Sequence, residues 1–417
     1  MMGARNTSGF SNYVASKRLP PPTHLTYEGS FNELEFNVGP KTNLPVDLHL
    51  GFARYHFQKS KYDSNANDYL ALFLKSERDG SERDETVLNA IICLDISGSM
   101  GGGLGAPPAH HEAKQKQPQT RLQLSVEAIK MFYSKLRPTD SLGVVIFDNT
   151  AEVVLKQTVK AEIEEAAFFM ALNELKPRGG TTISKGFELS KDLLSEYIHE
   201  NTKEQCENRM IMITDVCDNS LSGSNDFVQK ASETNIHLSI IGVSSEFRSE
   251  TCEKLKNIKG FNYFSAVNEE DLMKYIFHTF DFGFFPVAHD IELAISAKNL
   301  KSFQVYGSTD ADQVSDYNNG FAGEATEFVI SRMKSVFPSE ISLKDGNVLT
   351  VGGLVLLKLM TVEQRTEFQG EITLNYKVPN GKTSTQKYPF SFKAPVNEQY
   401  MSEECLYEAI EGYAFTS

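Results

Sequence analysis

The spacing of hydrophobic and polar positions changes twice along this chain of 417 residues. Over residues 24–85 the period is two. Val46, Leu48, Leu50 and Phe52 fall on one face of a strand, with Asp47 and His49 on the other. Tyr69 to Leu74 is an unbroken apolar run, which predicts a more fully buried strand. The polar stretch 60–68 between them is a turn, and the charged stretch 76–85 is a linker into the central segment.

From 86 to 284 strands alternate with helices, the pattern of parallel βα units. Strands are predicted at 87–94, 142–147, 209–214, 237–243 and 261–265. A companion at 151–155 turns back across Asn149-Thr150 as an antiparallel edge. Helical spacing places Leu122, Val126, Ile129 and Leu136 on one core face, and Ile163, Ala167 and Met170 on a second. Ile183, Phe187 and Leu194 form a third, Cys252, Leu255 and Ile258 a fourth, and Leu272, Ile276 and Phe280 a fifth.

After Pro286 the two-residue period returns, at 289–296 and 370–378, with Ile372, Leu374 and Tyr376 inward. Residues 352–359 read as a buried strand, and Pro379-Asn380-Gly381-Lys382 as a hairpin turn before 388–392. Leu406, Ile410 and Tyr413 have helical spacing in the tail. The 24–85 segment has too few strands to bury both its faces. The expectation is therefore a mostly parallel, doubly wound α/β sheet with helices on both faces, inserted into or flanked by an all-β sandwich. The expected boundaries are a tail at 1–23, β segments at 24–85 and 285–395, the α/β domain at 86–284, and a terminal helix at 396–417.

Charge narrows the partners. With 41 Lys+Arg against 55 Asp+Glu the net charge is −14, which argues against nucleic acid or an anionic membrane. No apolar run approaches the ~20 residues that span a bilayer. The N-terminus has no apolar core and is not read as a signal peptide. Gly3 begins an acylation pattern through Thr7 only if translation starts at Met2, and Met1 precedes it. The five cysteines (93, 206, 217, 252 and 405) are scattered singly, which points to a reducing, cytoplasmic setting and away from zinc.

Candidate chemistry gathers at strand ends. Ala90 to Leu94 is apolar, and then Asp95, Ser97 and Ser99 alternate with Ile96 and Gly98 before Met100 and three glycines. Side chains two apart in an extended loop point the same way. One carboxylate and two hydroxyls would thus meet at the carboxyl end of a central strand, where open α/β sheets bind ligands. Alone, the loop is equally a polar turn in which Asp95 or Ser97 caps the next helix. Two further stretches join it. Arg178-Gly179-Gly180-Thr181-Thr182 precedes a helix, and the apolar strand Met210 to Ile213 ends in Thr214-Asp215. Asp95, Ser97, Ser99, Thr181 and Asp215 can then surround one point. This oxygen set suits a hard divalent cation, Mg2+ first, with Mn2+ or Ca2+ of the same class.

These three stretches, in this order, resemble the von Willebrand factor type A family. Leu94 to Met100, Arg121-Leu122-Gln123-Leu124 and Leu142 to Phe147 are similar to its bacterial-type and plant-type intracellular branch. The likeness covers about 86–284, with weaker similarity at Thr350 to Leu354 and Gly370 to Ile372. It implies a metal-ion-dependent adhesion site formed by Asp95, Ser97 and Ser99 of a first loop, Thr181 of a second and Asp215 of a third. It also implies a binding module, in which a Glu or Asp of a partner protein completes the metal shell. The chain departs from the family at Val216, where glycine is usual, at nearby Asp218, and in the glycine- and proline-rich insert 101–119. His110 and His111 in that insert are read as solvent-facing. The other readings are a metal-dependent hydrolase using Asp95 as nucleophile, or a structural protein with a vestigial site. Ser97 stands where an aspartyl-phosphate enzyme wants a second carboxylate, and neither a His-Glu-x-x-His nor a phosphate-cradling motif is present, so the chain is read as not an enzyme.

Overall fold

The structure is a computed structural model. It describes residues 35–36, 44–55, 67–76, 86–104, 119–201, 206–215, 235–244, 258–266, 283–297, 300–308, 327–338, 340–342, 348–351, 353–361, 367–379 and 381–393, with single positions 255, 269, 272, 276 and 280. Gly3 and the N-terminal tail, His110 and His111, Val216, Asp218, Cys252 and the C-terminal helix lie outside the described residues.

In chain order, β1 (Glu35–Phe36), β2 (Asp47–Tyr55) and β3 (Asn67–Lys75) come first. The middle of the chain supplies β4 (Val87–Asp95), α1 (Arg121–Lys135), β5 (Ser141–Phe147), β6 (Ala151–Val159), α2 (Glu165–Asn173) and α3 (Ile183–Glu200). It continues with β7 (Cys206–Thr214), β8 (Ile236–Gly242) and β9 (Asn262–Ser265). The last part holds β10 (Ala288–Ala297), β11 (Leu300–Tyr306), β12 (Glu327–Val336) and β13 (Glu340–Ser342). β14 (Val348–Val351), β15 (Leu354–Thr361), β16 (Glu367–Lys377) and β17 (Thr383–Lys393) complete it. The described residues divide into two compact units, those within Leu25–Glu82 and Phe285–Ser417, and those within Arg83–Phe284.

The Arg83–Phe284 unit is mixed α/β. Its six-stranded sheet has the order β6-β5-β4-β7-β8-β9. All its pairs are parallel except β5 with β6, the edge expected across Asn149-Thr150. β4, β5, β7 and β8 are buried almost throughout, whereas β6 is largely exposed or half-buried. Continuous apolar runs in the central strands follow from that two-sided burial. Counted from β4, the order is 3-2-1-4-5-6, and it reverses at the β4–β7 pair. Sheets of this order bind ligands in the crevice beyond the carboxyl ends of that pair.

The helices meet expectation unevenly. Leu122, Val126 and Ile129 of α1 are buried, and Leu136 caps its end. Ile183, Phe187 and Leu194 of α3 are buried against the strands. Gly186 lets α3 come close, since a Cβ there would lie 2.6 Å from the Phe147 ring and 2.8 Å from Cys93 Sγ. The second stripe is corrected. Ile163 precedes α2, Ala167 is exposed and Met170 is 61% exposed, while Phe168 and Leu172 are the buried residues. In Glu-Ala-Ala-Phe-Phe-Met-Ala-Leu-Asn apolar side chains run round the helix, so periodicity does not choose a face. Of the last two stripes, Leu255, Ile258, Leu272, Ile276 and Phe280 are buried.

At the sheet end away from Asp95, Arg209 of β7 is fully buried. It donates to Glu207 Oε1, to Ser239 Oγ and to the carbonyls of Gly260 and Phe284. Burial lowers the pKa of its guanidinium, and the Glu207 carboxylate opposes that shift. The Phe284 contact fixes the chain where this unit ends.

The other unit is antiparallel. It has two four-stranded sheets, β12-β10-β16-β17 and β11-β15-β3-β2, and a small sheet β1-β14-β13. One hydrophobic cluster takes Leu48, Leu72 and Leu357 from one four-stranded sheet and Leu293, Ile295, Ile372 and Leu374 from the other. The turn between β16 and β17 is closed by Gly381 N to Val378 O, 2.8 Å, with Gly381 at φ +82°. Strands β11 and β12 were not anticipated from the sequence. Asp47, which alternates with the apolar positions of β2, is only 4% exposed. The Tyr388 hydroxyl of β17 donates to its Oδ1 at 2.8 Å, as does Leu48 N, and His49 Nε2 lies 3.2 Å from Oδ2. Burial raises the Asp47 pKa, but the bonds from His49, Tyr388 and Leu48 outweigh it and hold the carboxyl down at about 2.

Candidate metal centre

The first loop begins where β4 stops being apolar. Asp95 is completely buried. Its Oδ1 accepts from Ser97 N at 2.8 Å and turns the chain sharply. The loop is not extended as the alternation suggested. Gly98–Gly101 forms a 3-10 turn that Met100 anchors by burying its side chain. The two hydroxyls still converge, with Ser97 Oγ and Ser99 Oγ 3.1 Å apart.

The second loop is tied to the first through backbone. Arg178 N donates to Ile96 O at 2.7 Å and Gly98 N to Gly179 O at 3.1 Å. The turn that carries Thr181 therefore runs beside the Asp95 loop. Gly179 has φ +67°, and a Cβ there would lie 3.0 Å from Asp148 Oδ2, so both conformation and space call for glycine. Asp148 organises this turn. Its carbonyl accepts from Thr182 N at 2.8 Å, and its carboxylate accepts from Thr150 N, Thr150 Oγ1 and Arg178 Nε. The bond from Thr150 N, with help from Thr150 Oγ1 and Arg178, holds the Asp148 pKa below the ordinary value. The residue that caps α3 is Thr182, without a side-chain capping bond.

The third loop follows β7, the parallel neighbour of β4. Thr214 Oγ1 donates to Asp95 Oδ2 at 2.6 Å. Asp215 is 5% exposed. Ser99 Oγ donates to its Oδ1 at 3.0 Å, and Arg121 Nη1 sits 2.6 Å from its Oδ2. The structure thus places Asp95, Ser97, Ser99 and Asp215 in one hydrogen-bonded row, with the Thr181 turn held alongside. Burial raises the Asp95 pKa, the bonds from Thr214 and Ser97 oppose that, and the Asp215 charge adds to it.

The donor set has a definite chemical character. Every candidate ligand atom is oxygen, and only two are carboxylates. Among the described residues no three His, Cys, Asp or Glu side chains lie together as a metal-holding group; the oxygens here, two carboxylates with hydroxyls, are of the hard type. Neighbouring ligands of an octahedral Mg2+ lie about 3 Å apart. Ser97 Oγ to Ser99 Oγ is 3.1 Å and Ser99 Oγ to Asp215 Oδ1 is 3.0 Å, ordinary hydrogen-bond lengths that are compatible with such a shell. The residues fit a hard divalent cation.

Three contributors had no role assigned from the sequence. Thr214 and Arg121 stand in recurring motifs that give them no function of their own, and Asp148 stands in none. A Thr-x-x-Gln signature does mark the start of α1. Thr120 Oγ1 accepts from Gln123 N at 3.1 Å and Gln123 Oε1 from Thr120 N at 2.8 Å. That box fixes where Arg121 begins the helix, but nothing in spacing pairs Arg121 with Asp215.

Among known proteins, a solved von Willebrand factor type A protein from Catenulispora acidiphila aligns at 13% identity and TM-score 0.47, covering 85% of this chain and 75% of its own. The ArnB paralog VWA2 from Sulfolobus acidocaldarius aligns at 12% identity and TM-score 0.43, covering 88% and 81%. Proximal thread matrix protein 1 from the mussel byssus, solved with a zinc-occupied MIDAS motif, aligns at 16% and TM-score 0.34, covering 47% and 45%. Scores this low carry no functional argument. No curated protein sequence matches the chain. The family model for the von Willebrand factor type A domain matches residues 90–218, which contain all three loops. Residues 90–218 of the chain therefore carry a von Willebrand factor type A domain.

Proposed function

We propose that the α/β unit is a metal-ion-dependent protein-binding module, with Mg2+ held by Asp95, Ser97, Ser99, Thr181 and Asp215. The observation that carries this reading is the convergence of the Ser97 and Ser99 hydroxyls and the Asp215 carboxylate, from two loops that follow neighbouring parallel strands. Bound there, the cation supplies an electrophilic position for an outside oxygen, and a Glu or Asp of a partner protein is the ligand it selects. The chain's own residues do the rest. Ser97 and Ser99 present hydroxyl oxygens, Thr214 orients the Asp95 carboxylate, and Asp148 keeps the Thr181 turn in place. Mn2+ and Ca2+ are the alternative cations of the same chemistry.

The reading is of a binder and not an enzyme. It is supported by the burial of Asp95, whose two oxygens are engaged by Ser97 N and Thr214 Oγ1, a poor posture for a nucleophile. We also propose that the α/β sheet is doubly wound with helices on both faces, and that the two β segments build one sandwich. The shared hydrophobic cluster of the two four-stranded sheets supports the second. A cytoplasmic setting rests on the scattered cysteines. Among the described residues no helix is long and apolar enough to cross a membrane.

The test is affinity capture with the full chain, with Mg2+ and with EDTA, beside the Asp95→Ala variant. The reading expects a partner retained only with Mg2+ and lost in a folded Asp95→Ala protein. A set of captured proteins indifferent to EDTA would count against it.

A further inference from the structure

Arg121 is tied to the candidate metal centre by its backbone and by its side chain. Its N donates to Gly102 O at 2.8 Å, and Gly103 and Thr120 form an antiparallel bridge immediately before it. Its Nη1 lies 2.6 Å from Asp215 Oδ2 and 3.4 Å from the Ser99 carbonyl. The Arg121 side chain is 20% exposed and that of Asp215 is fully buried.

The position is an unfavourable one for a cation. Arg121 is the first residue of α1, and the first turn of that helix has no acidic residue. The positive end of the helix dipole faces it, so something else must hold the charge there. Asp215 does, at charge-assisted hydrogen-bond distance. Asp215 has the reciprocal need. It is a buried carboxylate near a second one, Asp95.

We propose that Arg121 is the resident counter-ion of Asp215 and competes with the divalent cation for that carboxylate, so that it sets the metal affinity of the pocket. The inference rests on the metal reading above. It divides Asp215 in two, with Oδ1 in the Ser99 row and Oδ2 under the guanidinium. The pair ties the first residue of the third loop to the start of α1. It also leaves the site one negative charge poorer than its carboxylates alone would make it, and a site with less negative charge binds a cation more weakly.

The experiment is a Mg2+ titration by calorimetry on the full chain, comparing wild type, Arg121→Gln and Arg121→Lys. Arg121→Gln removes the charge at similar size and is expected to bind Mg2+ about tenfold more tightly. Arg121→Lys keeps the charge and is expected to stay within about twofold of wild type. Without metal, Arg121→Gln should melt below wild type, and saturating Mg2+ should close that gap. Unchanged or weaker Mg2+ binding by Arg121→Gln, with wild type still binding, overturns the counter-ion proposal alone. A wild type that binds no Mg2+ overturns the metal reading and this proposal together. If Arg121→Gln does not fold, the nitrogen NMR signal of the Arg121 guanidinium in wild type decides. It must shift as Mg2+ is added, and a signal that stays in place while Mg2+ binds overturns the proposal.

Discussion

The Ser99 hydroxyl donates to Asp215 Oδ1 across 3.0 Å, although 116 positions of chain separate the two residues. This bond joins the loop after β4 to the loop after β7, two parallel neighbours in the sheet. The edge where the strand order reverses thereby carries a row of side-chain oxygens. The Ser97 and Ser99 hydroxyls and the Asp215 carboxylate are held together there by hydrogen bonds of 3.1 and 3.0 Å.

Thr214 has a positioning role that a denaturation series can expose. Its hydroxyl meets Asp95 Oδ2 at 2.6 Å with both residues completely buried. Thr214→Val leaves a buried carboxylate oxygen without that donor and should cost about 1–3 kcal/mol. Thr214→Ser keeps the hydroxyl and should recover most of the loss. Equal stability of the valine variant and wild type in urea would remove Thr214 from the account.

Gly179 couples backbone conformation to the Thr181 turn. At φ +67°, with Asp148 Oδ2 3.0 Å from where a Cβ would sit, alanine is strained and crowded. Gly179→Ala should destabilise the α/β unit by about 1 kcal/mol or more and shift the turn that carries Thr181. Weaker Mg2+ binding than wild type, read in the same buffer, is the expected companion effect. Unimpaired affinity in a destabilised protein would mean that Thr181 does not contribute a ligand.

The Asp47–Tyr388 contact gives the antiparallel unit a pH signature. The Asp47 pKa in the folded chain is about 2, against 3.8 for the free side chain. A depressed acid contributes stability that is fully present above the unfolded value and is lost as pH falls through the folded one. The contribution is about 2 kcal/mol at neutral pH. Asp47→Asn should therefore be less stable than wild type at pH 6, and the gap should close between pH 3.8 and about 2. A gap that stays constant over that window would place its cause in packing and not in the charge.

Much of this was legible in the chain itself, and the exceptions have physical causes. β4, β7 and β8 announce themselves because strands buried on both faces must be apolar throughout. Asp95 and Asp215 could be brought together from the sequence because neighbouring parallel strands end at one edge of the sheet, whereas strand order says nothing of Thr181. Ala167 and Met170 were misplaced because α2 is apolar on nearly every side. The 3-10 turn at Gly98–Gly101 was read as extended because alternation of polar residues does not distinguish a strand end from a tight turn. The burial of Asp47 could not be read from the alternation of β2, because it depends on a partner, Tyr388, from a distant strand. The Arg121–Asp215 pair is beyond sequence reading, since it depends on where a helix start and a strand end meet in space.

The most direct measurement is a Mg2+ titration of the wild-type chain beside the double variant Ser97→Ala/Ser99→Ala, with folding of both checked by circular dichroism. The account predicts one Mg2+ per wild-type chain and a loss of about tenfold or more in affinity when both hydroxyls are removed. Wild-type protein that takes up no Mg2+, or a folded double variant that binds it equally well, would contradict it.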